Sequence, residues 1–198
     1  MIGLGLDQHA EYIAAFSVSA SKEYQVEKSI VDVKQNWSNL QLETVPYRDR
    51  GHHRVRTVEE LFAALDDNSV VLSSIKCTKF GKPFMEEIVY WEKTLSTISE
   101  TLEISQTVQK AWMYLENIFA ASEDIRRQIP AESSMFEKYD DGWRFVMKRF
   151  MSHSTAKGAC TEEGLLPKLT EINAVLEKIQ KSLDAYLETK RVAFLRWS

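Results

Sequence analysis

The chain has 198 residues, enough for one large domain or two small ones, and its 44% hydrophobic and 27% charged composition is that of a globular protein. A net charge of −4 excludes the broad basic face of a nucleic-acid binder. No apolar run reaches membrane length, and the first residues, Met1 to Asp7, lack the basic and long apolar regions of a secretory signal.

Cys77 and Cys160 stand without a partner motif, which points to buried thiols in a reducing, intracellular setting. Only 7 Gly and 4 Pro favour long, uninterrupted elements, and 5 Trp supply large side chains for helix seams or a docking surface. Segment 7–38 predicts a helix with Asp7 as N-cap, since Ile13, Phe16, Ala20, Val26, Ile30, Val33 and Trp37 recur at three- and four-residue steps. Ser17, Ser19 and Ser21 weaken its middle and leave room for a bend or break there.

Segment 40–56 changes period. Val45-Pro46-Tyr47, the Arg48-Asp49-Arg50-Gly51 turn and His52 to Arg56 predict a β-hairpin, with Pro46 confined to an edge. Thr57-Val58-Glu59-Glu60 has the pattern of a capping box and opens a helix over 57–78, with a possible kink at Asp66-Asp67-Asn68. Gly81 and Pro83 close it. Segment 84–121 predicts the longest helix, on Phe84, Ile88, Trp91, Leu95, Ile98 and Leu102, with Trp112, Leu115 and Phe119 resuming after a slip around Ser105 to Val108. Such a helix reaches about 50 Å, against a radius of gyration of about 16 Å for a globule of this length.

Two helices fill 122–151. Ser122 caps the first and Pro130 opens the second, which carries Phe136, Tyr139, Trp143, Met147 and Phe150. Segment 152–164, with Gly158 and Gly164, reads as a loop. The last helix, 164–191, carries an unbroken heptad stripe from Leu165 to Tyr186. The fold class is therefore mainly α: an elongated bundle of long antiparallel helices with one small β-hairpin insertion.

No chemistry assembles on this frame. His52 and His53 are neighbours on a strand and face opposite ways, so they read as two exposed hairpin histidines and not as metal ligands. Cys160 and His153 lack the orienting group and oxyanion site of a nucleophile pair, and Cys77 reads as a small core residue. Gly81-Lys82 lies in no P-loop pattern. The pairs Asp66-Asp67, Glu86-Glu87 and Asp140-Asp141 read as solvated faces. Trp91, Trp112 and Trp143 read as core, with a docking surface as the alternative. Catalytic, cofactor and metal residues are all expected to be absent.

A family resemblance rests on ordered blocks. Trp112-Met113-Tyr114-Leu115-Glu116-Asn117-Ile118-Phe119 resembles the Trp-x-Tyr-Leu-Glu-x-Ile-Phe signature of the dynein heavy chain linker. Ser122 to Pro130, with Glu132, resembles the block that follows it, in a form closer to axonemal than to cytoplasmic heavy chains. Ala20 to Tyr24, Val45 to Gly51, Lys82-Pro83-Phe84, Trp91-Glu92, Glu177 to Leu183 and Tyr186 to Arg191 extend the resemblance from about Leu6 to Phe194. Where the family continues Ala-Phe-Pro-Arg-Phe toward its AAA ring, this chain reads Ala193-Phe194-Leu195-Arg196-Trp197-Ser198. That implies a fragment, a short product or an incomplete gene model.

The resemblance implies a mechanical lever that swings across the AAA ring during ATP turnover and is not itself an enzyme. It implies the AAA ring in cis as partner, with intermediate and light intermediate chains on the adjoining tail and microtubules only indirectly. Neither nucleic acid nor membrane is expected. The implied location is the cytoplasm and cytoskeleton, in a ciliary axoneme. Candidate interaction residues are Arg48, Arg50 and Arg54 at the hairpin, suited to carboxylates, with Trp112, Tyr114 and Glu116 in the signature. Candidate hinge residues are Ser122, Pro130, Gly158 and Gly164, where helical continuity is weak. The alternative is a free-standing helical adaptor or scaffold bundle.

Overall fold

A computed structural model describes residues 3–197; Met1, Ile2 and Ser198, which belong to the terminal segments discussed above, lie outside the described residues. Seven α-helices, one 3-10 helix and one two-stranded antiparallel hairpin make up the described chain, so the protein is mainly α. It divides into two compact units: residues 1–40 with 59–96, and residues 41–58 with 97–198.

The first unit contains α1 (Gly3–Asn39), α2 (Glu59–Lys76), the 3-10 helix (Lys79–Phe84) and the start of α3 (Met85–Ala121). Its core is apolar: Val26, Ile30, Val33 and Trp37 from α1, Leu61, Leu65 and Leu72 from α2, and Ile88, Trp91 and Leu95 from α3. Outside that core, Lys76 reaches Glu92 at 2.7 Å. Gly81 is buried in the 3-10 helix, where a Cβ would collide with the Ile75 carbonyl oxygen. Glycine is required there by close approach of the backbone.

Several expectations are corrected here. Asp7 lies inside α1 and is not its cap, and the helix runs through the serines without a break. Ile13 and Phe16 are 58% and 67% exposed, so they contribute nothing to the core. Periodic spacing identifies a face, but it does not show that anything covers that face. α2 begins at Glu59, one residue later than a Thr57 cap requires, and continues through Asp66 to Asn68. Cys77 is exposed just beyond the end of α2, not buried.

The second unit begins with β1 (Thr44–Tyr47) and β2 (His52–Val55), paired from Thr44 with Val55 to Tyr47 with His52. The rest of α3 follows, then α4 (Glu123–Gln128), α5 (Pro130–Met151), α6 (Ala156–Cys160) and α7 (Leu165–Trp197). The stripe on α7 is buried at Leu165, Leu169, Ile172, Leu176, Ile179 and Leu183. It packs with the face of α5 that carries Trp143, Val146, Met147 and Phe150. Segment 152–164 is not simply a loop: it contains α6, capped by the Thr155 hydroxyl, which accepts from the Gly158 amide.

The apparent slip on α3 is also resolved. Its buried face continues through Ile98, Leu102, Ser105, Gln109, Trp112 and Glu116 at steps of three and four. The register never breaks. Polar residues occupy buried positions along it, and a reading of apolar periodicity passes over them.

Candidate functional site

Those polar residues hold the hairpin. Gln109 accepts from the Val55 amide through Oε1 at 2.7 Å and donates to the Val55 carbonyl through Nε2 at 3.0 Å. One side chain thus satisfies both backbone groups of a strand residue that has no further strand beside it. Asn117, two turns further along, accepts from the Tyr47 hydroxyl and from Arg48. Arg48 also lies 3.4 Å from Glu116 and caps the Tyr47 ring. Its φ of 57° is the left-handed conformation a tight turn imposes, and the turn's Gly51 shares the positive sign.

α5 holds the opposite side. The Asp140 carboxylate accepts from Trp112 Nε1 at 2.7 Å and from Arg144 Nε at 3.2 Å, and both its oxygens lie 3.1 Å from His52 Nε2. His52 Nδ1 is buried without a partner. His52 Nε2 also lies 2.9 Å from Arg144 Nη2, so this ring nitrogen sits between a carboxylate acceptor and a guanidinium donor. Trp143 stacks on Trp112 at 5.7 Å between centroids and donates through Nε1 to the His53 carbonyl at 3.2 Å. The hairpin is thereby wedged between α3 and α5 by groups from both.

This cluster overturns two readings. His52 is only 4% exposed, so the hairpin does not present two exposed histidines. Asp140 is the shared partner of three side chains, not a member of a solvated face. Its one trace in the sequence was the i, i+4 spacing of Asp140 and Arg144. The partners Trp112 and His52 are 28 and 88 positions away, which no local pattern connects.

The candidate interaction residues separate by burial. Trp112 is fully buried and Glu116 is 4% exposed, so neither offers a docking surface. Arg48 is engaged with Asn117 and Glu116. Arg50 is exposed in the turn and Arg54 is half-buried on β2. Tyr114 is 38% exposed and points its hydroxyl at Asp184, 3.5 Å away. Partial burial, then the Asp184 carboxylate, raise its phenol above the ordinary value.

The candidate hinge residues also separate. Ser122 and Ile129 are the two non-helical residues that bracket α4, and Pro130 opens α5. Gly164 turns into α7 with φ +83°. Gly158, by contrast, sits inside α6, where a Cβ would press on His153 and Thr155. Segment 152–164 is cross-braced: Glu162 accepts from Arg149 Nε at 2.6 Å and lies 2.6 Å from His153 Nε2. The Arg149 and then the His153 hydrogen bonds hold the Glu162 carboxyl below the ordinary range. Thr101 donates to the Cys160 carbonyl at 3.0 Å. Cys160 and His153 do not form a nucleophile pair, since His153 faces Glu162 and burial pushes the Cys160 thiol up to about 12.

Among the described residues, no three His, Cys, Asp or Glu side chains converge so as to hold a metal ion. No described helix is long and apolar enough to cross a membrane. The geometry defines a helical scaffold with a polar-pinned hairpin.

The chain belongs to the dynein heavy chain family: the family described as "Dynein heavy chain, N-terminal region 2" matches residues 1–197. It is 48% identical over 197 residues to dynein axonemal heavy chain 2 of Mus musculus and 47% to that of Homo sapiens. It is 46% identical over 197 residues to the dynein-1-beta heavy chain of the flagellar inner arm I1 complex of Chlamydomonas reinhardtii. These alignments take in 100% of this chain and 4% of each relative, so the chain spans a small part of the length of the curated relatives it matches.

Proposed function

We propose that the chain is a segment of the mechanical linker of an axonemal dynein heavy chain. In this reading it carries displacement during ATP-driven movement along microtubules and contributes no catalytic group. The observation that carries the proposal is identity of 46–48% along the whole chain to axonemal heavy chains, two of them named axonemal and one from a flagellar inner arm. The architecture supports it. α1 and α3 are each 37 residues long and α7 is 33, and stiff elements of that length suit a lever. The location that follows is the axoneme of a cilium. The AAA ring of the same heavy chain is the partner in cis, and other dynein subunits are partners through adjoining regions. Arg50 and Arg54 are the hairpin arginines left for a carboxylate on such a partner.

Bending in this lever is assigned to residues 122–130. Two non-helical residues separated by a six-residue helix form a joint there, whereas segment 152–164 is braced by Glu162 and Thr101. Hydrogen exchange on the intact motor in two nucleotide states is expected to differ at 122–130. Equal protection in both states would remove the joint. The lever itself is tested in an intact heavy chain carrying Gln109→Ala, which loosens the hairpin. Microtubule gliding should slow several-fold while ATP hydrolysis continues. Gliding that is unaffected, or ATPase that falls in step with it, would contradict the assignment.

A further inference from the structure

Beneath the hairpin turn lies a cavity of about 190 Å³ whose wall includes Arg50, Glu116, Arg126 and Glu137. Glu116 lines it from α3 and is 4% exposed. Arg48 approaches its Oε2 at 3.4 Å, yet neither carboxylate oxygen receives a hydrogen bond. A buried ionised carboxylate retains a strong demand for donors. Arg48 faces it through Nη1 only, at 3.4 Å, while its Nη2 donates to Asn117.

Three guanidinium groups, Arg50, Arg126 and Arg144, are at the same wall, and Arg144 pairs with Asp140. Among the described residues, neither Arg50 nor Arg126 forms an ion pair. Arg50 is exposed in the turn, whereas Arg126 is half-buried on α4. Arg50 and Arg126 share this wall with two carboxylates, buried Glu116, whose oxygens receive no hydrogen bond, and exposed Glu137. The unspent charges balance, so the cavity selects a ligand of neither sign and is suited to closing on itself.

We propose that Arg126 turns into this cavity and donates to Glu116 Oε1, latching α4 to the end of α3 beneath the hairpin. The α4 joint then has a closed state, with a charge-assisted hydrogen bond to the buried Glu116 carboxylate, and an open state in which Arg126 faces solvent. The inference deepens the joint proposed above by naming what holds it shut. Its test reads the contact without motor activity, so the latch and the lever can fail separately. Arg127 is the internal control: it follows Arg126 in sequence but pairs with Glu123 at 2.8 Å.

The test is amide exchange at 123–129 in the full chain. Arg126→Gln and Glu116→Gln are each expected to speed exchange there about five-fold, the double variant no more than either single one, and Arg127→Gln hardly at all. Because Glu116 is buried, its variant could fail to fold. The side-chain carboxyl carbon resonance of Glu116 in the Arg126→Gln protein therefore serves as a second readout. It should shift, and Arg126→Lys should restore it in part. An unmoved resonance, or exchange effects that simply add, would mean that Arg48 and solvent alone serve Glu116, and the latch would be discarded.

Discussion

The unit formed by α1, α2 and the start of α3 buries an apolar seam, with Asn68 and Thr94 as its buried polar residues. The unit around the hairpin buries His52, Thr101, Ser105, Gln109, Glu116 and Ser133. The cause is backbone chemistry. Helices satisfy their own N–H and C=O groups, so helices packed on helices need only side-chain volume. A two-stranded hairpin leaves half of its backbone groups facing outward, and burying it among helices requires side chains that complete the pairing. Gln109 does so at Val55 and Trp143 at His53.

The largest expected effect tests whether the hairpin unit is one cooperative body. Trp143→Ala removes a fully buried ring stacked on Trp112 and should cost about 3–5 kcal/mol. Cys160 should become reactive to a thiol reagent at lower urea, while exposed Cys77 reacts at the native rate throughout. If exchange in α1 and α2 rises as much as in α5 and α7, the contrast between the units fails.

Gln109→Ala should come next, at about 2–3 kcal/mol, because it orphans a buried N–H and C=O at once. Urea unfolding checks it, and a loss under about 0.5 kcal/mol would show that solvent reaches Val55. In the other unit the corresponding weak point is steric. Gly81→Ala places a methyl group against the Ile75 carbonyl and should cost about 1–3 kcal/mol, read from the same unfolding curves.

The smallest effect is a pH dependence. The Glu162 carboxyl is held below its ordinary value near 4.5 by Arg149 and His153. Its stabilisation is fully present above that value and is lost as pH falls through the lower folded-state value. Protection of the α6 amides should therefore decline on acidification below about pH 4.5, and Glu162→Gln should remove that part of the decline. A decline unchanged in the variant would assign it to other carboxylates.

The sequence by itself determined the helical class, a hairpin within residues 40–56 and the stripe on the last helix from Leu165 to Tyr186, buried as far as Leu183, because these depend on local period and turn chemistry. Its motif blocks also carried the family. Only the tertiary structure decided that Ile13 and Phe16 stay exposed while His52, Gln109 and Glu116 are buried. Burial depends on what lies opposite in space, and the partners of those residues are tens of positions away: Val55 from Gln109, Arg48 from Glu116, Asp140 from His52. Apolar spacing records which face turns inward. The polar groups that fix a hairpin against two helices follow the backbone atoms they must satisfy, and those positions exist only once the chain has folded.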